Sequence, residues 1–373
     1  MSGIRASQRF DVMSKRLGSR LREHAQETFP PDAQKGLRRF AMREAADLLR
    51  LNQNTFRHHV SNLEGFPEGI LEGGNRRSFS AEEMVEAQRV LLETGRIKPD
   101  EHPHRRAGEP CQVLTIFNLK GGSAKTSTVA HVGQLLGLRG YRVLLIDLDS
   151  QASLTNLFGV TPELDPDMPT SYDLIRSEGP LPASDIIRKT NFPTVDLIPA
   201  SMDIMEYEFE VALSFRHGAT TFHSRIREAL EPVLDRYDVV IFDTAPTPSL
   251  LHGSLYMAND ALLYPTKCEY LSFDGLMESM KHRDEASKAR QYVGLDEVSV
   301  GGIIPTMYRT GTQADDYGIE ILKERFGKLV WPEISLRTVW NQASFARRLL
   351  FSFAPDTKAA SEAWRTVELA EAI

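Results

Sequence analysis

At 373 residues, 41% apolar and 25% charged, with a formal charge of −7, the chain has the make-up of a soluble globular protein of two or three domains. No run approaches the roughly 18 apolar residues of a membrane span and no signal-peptide core opens the chain, so a cytoplasmic protein is expected. The two cysteines, Cys111 and Cys268, are far apart and form no metal spacing, which leaves them as small core residues of a reducing compartment.

The charge is unevenly spread. Residues 1–110 carry 19 Lys and Arg against 16 Asp and Glu, whereas residues 111–373 carry 25 against 35. A basic front on an acidic body points to nucleic acid at the front end. In chain order, Phe10, Met13, Leu17 and Leu21 predict an amphipathic helix that stops before Phe29-Pro30-Pro31 and defines a first segment, 1–36. A second unit, 37–98, opens with a small-residue helix over Phe40–Leu49 and a tight connection at Arg50-Leu51-Asn52. A helix over Gln53–Val60 follows, with Asn52 as its N-cap. That second helix offers Gln53, Asn54, Arg57 and His58, side chains suited to base edges and phosphates in a major groove. Gly73-Gly74-Asn75-Arg76-Arg77-Ser78-Phe79 reads as a basic hairpin, and Ser80-Ala81-Glu82-Glu83 as a capping-box start to another helix. Helix, turn, polar helix, basic wing and helix together resemble a winged helix-turn-helix of the MerR-like type, although Arg50 stands where the turn usually has glycine. A plain helical packing unit is the competing reading, and Arg76 and Arg77 are either phosphate contacts or a solvated loop. Residues 99–110 form a polar, proline-containing linker whose His102 and His104 lack partners at metal spacing.

The body, 111–373, begins with an apolar strand, Val113–Phe117, followed by Lys120-Gly121-Gly122-Ser123-Ala124-Lys125-Thr126-Ser127 and a helical pattern through Leu136. Strand, glycine-rich turn, Lys-Thr and helix is the arrangement that wraps nucleotide phosphates: backbone N–H groups face the anion, Lys125 supplies charge and the Thr126 hydroxyl suits Mg²⁺. Two further all-apolar strands end in acids, Val143–Leu148 with Asp147 and Asp149, and Val239–Phe242 with Asp243. Buried parallel strands deliver such acids to the C-terminal edge of a sheet, where α/β proteins bind ligands. Asp147 reads equally as a solvated strand-end acid or as a participant. Strands near 194–200, 260–266 and 298–305 alternate with helical patterns, so the predicted fold is α/β, a mostly parallel sheet with helices on both faces, behind a small N-terminal, mainly helical winged helix-turn-helix.

With a second lysine directly before the glycine pair, the loop is the deviant form K-G-G-x-x-K-[ST], and over about Gln112–Ala354 the chain resembles the ParA/MinD class of P-loop ATPases. ParA proteins of the longer plasmid class, and RepA of replication–partition operons, carry a winged helix-turn-helix ahead of the ATPase. The resemblance implies ATP and ADP with Mg²⁺ as ligands and a nucleotide-sandwich homodimer in which Lys120 crosses to the partner's phosphates. It implies Asp149 as the aspartate that positions the attacking water, Lys125 as the cis cation, and Thr126, Asp149 and Asp243 around the metal. Pro305 and Met307 would lie on the adenine side. It further implies non-specific binding to nucleoid DNA, operator binding through the front unit, and a ParB-type centromere-binding partner. In such proteins a leading helix dimerises; the helix over Phe10–Leu21 either does so or lies on its own domain. Arg337, Arg347 and Arg348 form a basic cluster that is either a DNA contact or a solvated helix face. A nucleotide-sensing transcriptional regulator and a MinD-like positioning ATPase are the alternatives. The latter needs a basic amphipathic tail, and Trp364–Ile373 carries two acids and one arginine.

Overall fold

The computed structural model describes residues 37–371 except 75, 99–103, 107, 163, 164, 166, 217–220 and 347–349, together with 13, 16, 17, 19, 20 and 23. Most of the leading helix expected over Phe10–Leu21, and both Arg347 and Arg348, therefore lie outside the described residues.

The front unit folds around aromatic residues. Strand β1 (Phe40–Ala41) precedes helix α1 (Met42–Leu48), which is followed by α2 (Gln53–Asn62), β2 (Ile70–Glu72), β3 (Arg76–Phe79) and α3 (Ala81–Glu93). Phe40, expected inside the first helix, is instead extended and pairs antiparallel with Phe79, because β3 needs a partner on the side away from β2. Phe56 on α2 meets Phe66 and Phe79 edge-on, with ring centroids 5.6 and 5.0 Å apart, and all three are buried. The Asn52 side chain accepts from the Thr55 N–H at 2.8 Å, and Ser80 and Glu83 close the capping box on α3.

Helix α1 ends in a Schellman turn. The Leu51 N–H reaches the Ala46 carbonyl at 2.9 Å and the Arg50 N–H the Asp47 carbonyl at 3.1 Å. That turn needs a left-handed residue, and Arg50 adopts φ 55° in place of the usual glycine. Its guanidinium is 2.7 Å from the Glu371 carboxylate, at the far end of the chain.

The body is a seven-stranded sheet in the order β10-β9-β4-β8-β5-β7-β6, parallel throughout except for the β6–β7 edge pair. The strands are β4 (Gln112–Ile116), β5 (Val143–Leu148), β6 (Arg188–Lys189), β7 (Val195–Ile198), β8 (Val239–Thr244), β9 (Ala261–Lys267) and β10 (Ser299–Thr306). Successive side chains face opposite layers, which is why these strands are apolar throughout. Leu114, Ile116, Val143, Leu145, Val239 and Ile241 pack into one core, whereas Val113, Leu144, Ile146, Val240 and Phe242 pack into another. Helix α4 (Lys125–Leu138) covers the first layer. It lies close to the sheet because a Cβ on Gly137 would fall 2.4 Å from a Val195 methyl.

The front unit rests on this body. Gln88 of α3 donates to the Arg139 carbonyl at 2.8 Å, just past α4, and Glu371, which pairs with Arg50, also lies 3.9 Å from Arg139. At Arg50 a non-glycine residue bears a left-handed cost of roughly 1–2 kcal/mol. Arg50→Ala retains that cost and loses the ion pair, whereas Arg50→Gly relieves it. The glycine variant is expected to be the more stable of the two by about 1 kcal/mol in urea denaturation; equal or reversed stabilities would contradict this account of the turn.

Candidate active site

The loop after β4 is held from three sides. Asn118, fully buried, accepts the Lys120 N–H at 2.8 Å and donates to the Pro265 carbonyl at 2.8 Å, tying the loop to the end of β9. Ser279, on the helix over Tyr270–Tyr292 (α5), accepts the Leu119 N–H at 3.0 Å. Thr306, at the end of β10, donates to the Ser123 carbonyl at 3.0 Å. On α5, Gly275 has no room for a side chain: a Cβ there would lie 2.7 Å from the Lys120 Cβ. The turn into α4 passes through Gly122 and Ala124 at φ 69° and 70°. Ala124 therefore takes the left-handed conformation for which the commoner loop glycine is suited, at a steric cost.

The two lysines divide sharply. Lys125 is buried, and its ammonium donates to the Asn118 carbonyl at 2.8 Å and the Lys120 carbonyl at 3.4 Å. Burial lowers its pKa while Asp243 and Asp149 oppose that shift. Lys120 is exposed, and among the described residues its ammonium makes no hydrogen bond or ion pair.

Strand register brings the acids together. β5 and β8 pair in parallel with Asp147 opposite Asp243, and both carboxyl groups are fully buried. Asp147 is not a solvated acid. Its oxygens accept from the Asp149 N–H at 3.0 Å, the Thr155 N–H at 2.9 Å and the Thr155 hydroxyl at 2.7 Å, and Thr155 in turn accepts the Ala200 N–H. Burial pushes its pKa up to about 6, against those hydrogen bonds. Asp147 thus fastens the turn that carries Asp149, which is only 9% exposed. Asp243 is driven well above the ordinary carboxylate range by burial first and by Asp147 next, and the Thr126 hydroxyl works against this. One Asp243 oxygen, Oδ2, is buried with no partner.

Two carboxyl groups, Asp149 and Asp243, beside one lysine, with an orphaned Asp243 oxygen, fit a divalent cation. Among the described residues no three His, Cys, Asp or Glu side chains converge as a cage, so phosphate oxygens and water would have to complete the shell, as Mg²⁺ sites commonly do. Behind the loop a cavity opens between α4, the end of β10 and the C-terminal helices. Ser127, His131, Met307, Leu336, Trp340 and Thr366 are among its lining residues. Pro305 is buried in β10, and Met307 adopts φ 54° at the cavity wall. Sequence reasoning missed Asn118, Thr155, Trp340 and Thr366. Asn118 lay within the recognised stretch, whereas the last two reach the site only through tertiary packing.

The residues proposed for nucleic acid fall elsewhere. Asn54, Arg57 and His58 share an exposed surface of α2, and Arg76 is exposed on the hairpin. Arg77 is half-buried and donates to the Glu68 carbonyl. Arg337 is held near Glu362 at 3.7 Å.

The sequence profile of an AAA domain matches residues 111–292. A putative replication protein A of Sinorhizobium fredii is 43% identical over 225 residues, covering 58% of this chain and 54% of that protein. An uncharacterized protein of Mycobacterium tuberculosis is 31% identical, with 70% of this chain and 79% of that protein aligned. The chromosome partitioning protein ParA of Caulobacter vibrioides is 29% identical over 62% of this chain and 83% of its own length. This chain belongs to the ParA family. It spans just over half the length of the replication-protein relatives, 54% of the Sinorhizobium fredii protein and 62% of one from Rhizobium rhizogenes. Among solved structures, apo McdA of Cyanothece superposes with a TM-score of 0.60 at 23% identity, over 70% of this chain and 99% of that one, a likeness of fold. Cobyrinic acid a,c-diamide synthase of Mycobacterium smegmatis, solved with ADP and magnesium, gives a TM-score of 0.52 at 27% identity, over 66% and 94%.

His131 tests the burial of the cavity wall. Half-buried, with its Nδ1 2.6 Å from the Ser127 carbonyl, it has its pKa pushed down by desolvation to about 4. Its folded pKa lies below the unfolded value, so its contribution is complete at neutral pH and is lost as pH falls toward 4. The stability advantage of the wild type over His131→Gln is expected to shrink by about 2 kcal/mol between about pH 7 and about pH 5 in denaturant titrations, where carboxylate effects common to both cancel. A pH-independent difference would mean that His131 ionises freely.

Proposed function

We propose that the chain is a DNA-partition ATPase that hydrolyses ATP to ADP and phosphate, pairs with a second copy when ATP is bound, and binds DNA. The observation that carries this reading is the division of labour between the lysines: Lys125 buried among Asp149 and Asp243, Lys120 exposed and unpaired on the same loop. A buried cation beside carboxylates serves its own nucleotide, and an exposed one at the loop mouth is free to serve a partner's.

The loop N–H groups of Gly121–Ser127 would hold the phosphates, with the base in the cavity beside Met307, next to the buried Pro305. Thr126 and Asp243, with Asp149, would hold Mg²⁺, which when bound neutralises charge on the triphosphate. Asp149 orients the attacking water and takes its proton, and Lys125 stabilises charge developing on the transferred phosphoryl group. Lys120 completes the pocket across the dimer, so that hydrolysis and pairing are coupled.

Asn54, Arg57, His58 and Arg76 support a role of the front unit in reading operator DNA and repressing the chain's own operon. Non-specific attachment to the nucleoid through basic residues of the body, and stimulation by a ParB-type partner, complete the cycle. A membrane role is disfavoured by the C-terminal helix over Lys358–Ala370 (α6): Ala359, Ala360, Ala363 and Val367 are buried, so its apolar face is not available to lipid.

Lys120→Ala should still bind ATP yet lose the ATP-dependent doubling of mass in light scattering. Asp149→Ala should keep that doubling while its turnover falls by about 10²-fold or more. Wild-type turnover in Asp149→Ala, or wild-type dimerisation in Lys120→Ala, would refute the assigned roles.

A further inference from the structure

A third lysine stands at the phosphate loop. β9 runs past the level of β4: Ile116, the last residue of β4, pairs with Leu263, yet β9 continues to Lys267. On the β4 side its final residues therefore flank the loop, while on the other side they still pair with β10, Lys267 opposite Thr306. Asp243 lies on the other side of β4, opposite Ile116, so the loop sits between a metal-side acid and a lysine. The Lys267 ammonium lies 3.7 Å from the point where a Cβ on Gly122 would be.

Lys267 is half-buried, and among the described residues its ammonium makes no hydrogen bond or ion pair. The neighbouring acids are already committed. Glu269 and Asp315 both pair with Arg309, at 3.2 and 2.9 Å. A lysine partly withdrawn from water, without a counter-charge and beside a loop of N–H donors, favours an anion strongly. The loop enters α4 at Lys125, and the helix-side N–H groups serve the inner phosphates. Gly121 and Gly122 precede them and border the outer end of the phosphate chain.

We infer that Lys267 is a further phosphate-binding residue of this site, reaching the terminal phosphates of its own bound nucleotide past Gly122. The inference rests on the nucleotide-binding reading above. It adds a cis cation on the β9 side to Lys125 on the helix side, leaving Lys120 for the partner. Its substrate class is a nucleoside triphosphate, and its contribution depends on the outermost phosphate.

The test uses the full chain with Mg²⁺ and two fluorescent nucleotides, a slowly hydrolysed ATP analogue and ADP. In Lys267→Gln the affinity for the triphosphate analogue is expected to fall by about tenfold, the loss of one charge-assisted hydrogen bond, while that for ADP changes by less than about twofold. Lys267→Arg should restore most of the loss. Unchanged triphosphate affinity, or an equal loss for both nucleotides, would overturn the inference, the second because general distortion of the loop lowers both alike. Failure of the wild-type chain to bind either nucleotide would instead overturn the nucleotide-binding reading itself.

Discussion

Two fully buried aspartates on adjacent parallel strands, Asp147 and Asp243, set the terms for everything around them. Placing like charges side by side in the interior is unfavourable unless hydrogen bonds, a cation or a proton offset it. Asp147 is satisfied internally, by Thr155 and the Asp149 N–H, and so becomes a fastener. Asp243 is only half satisfied: one oxygen accepts the Thr244 N–H, and the second is buried without a partner. That asymmetry turns a repulsive pair into one internally satisfied acid and one with a carboxylate oxygen left to accept a ligand. The buried Lys125 is the electrostatic complement of Asp243, and its ammonium donates to the Asn118 carbonyl.

The same edge of the sheet is also joined by packed helices to the front of the chain. Helix α6 contributes Ala363 and Thr366 to the cavity beside the loop, and Glu371, just beyond its end, binds the turn residue Arg50. Helix α4, which begins at the loop, ends against Gln88 of the front unit. Two rigid helices thus connect the phosphate site to the turn between α1 and α2, the latter bearing Asn54, Arg57 and His58. Arg50 exchanges the ease of a glycine for a charge that tethers this turn to the body.

Much of the body was legible from the chain alone. An apolar run ending in aspartate is a buried strand delivering an acid, and the loop with its paired lysines announced its chemistry before any packing was known. What escaped was whatever depends on distant segments meeting. Whether Asp147 is solvated or buried turns on Thr155 and Ala200 closing over it. Lys267 gains meaning only because β9 outruns β4. Phe40 left its helical pattern for a strand because Phe79 required a partner. Arg77, one of two similar arginines in sequence, is distinguished from Arg76 by the Glu68 carbonyl, a contact with no signature in the pattern of the hairpin.

The most direct measurement is a crystal structure with a non-hydrolysable ATP analogue and Mg²⁺. If the account is right, the Lys125 ammonium leaves the Asn118 carbonyl for a phosphate oxygen, and the metal sits on Thr126 with Asp243 beside it, directly or through water. An analogue bound away from the Gly121–Thr126 loop, with Lys125 still on Asn118 and no metal near Asp243, would contradict it.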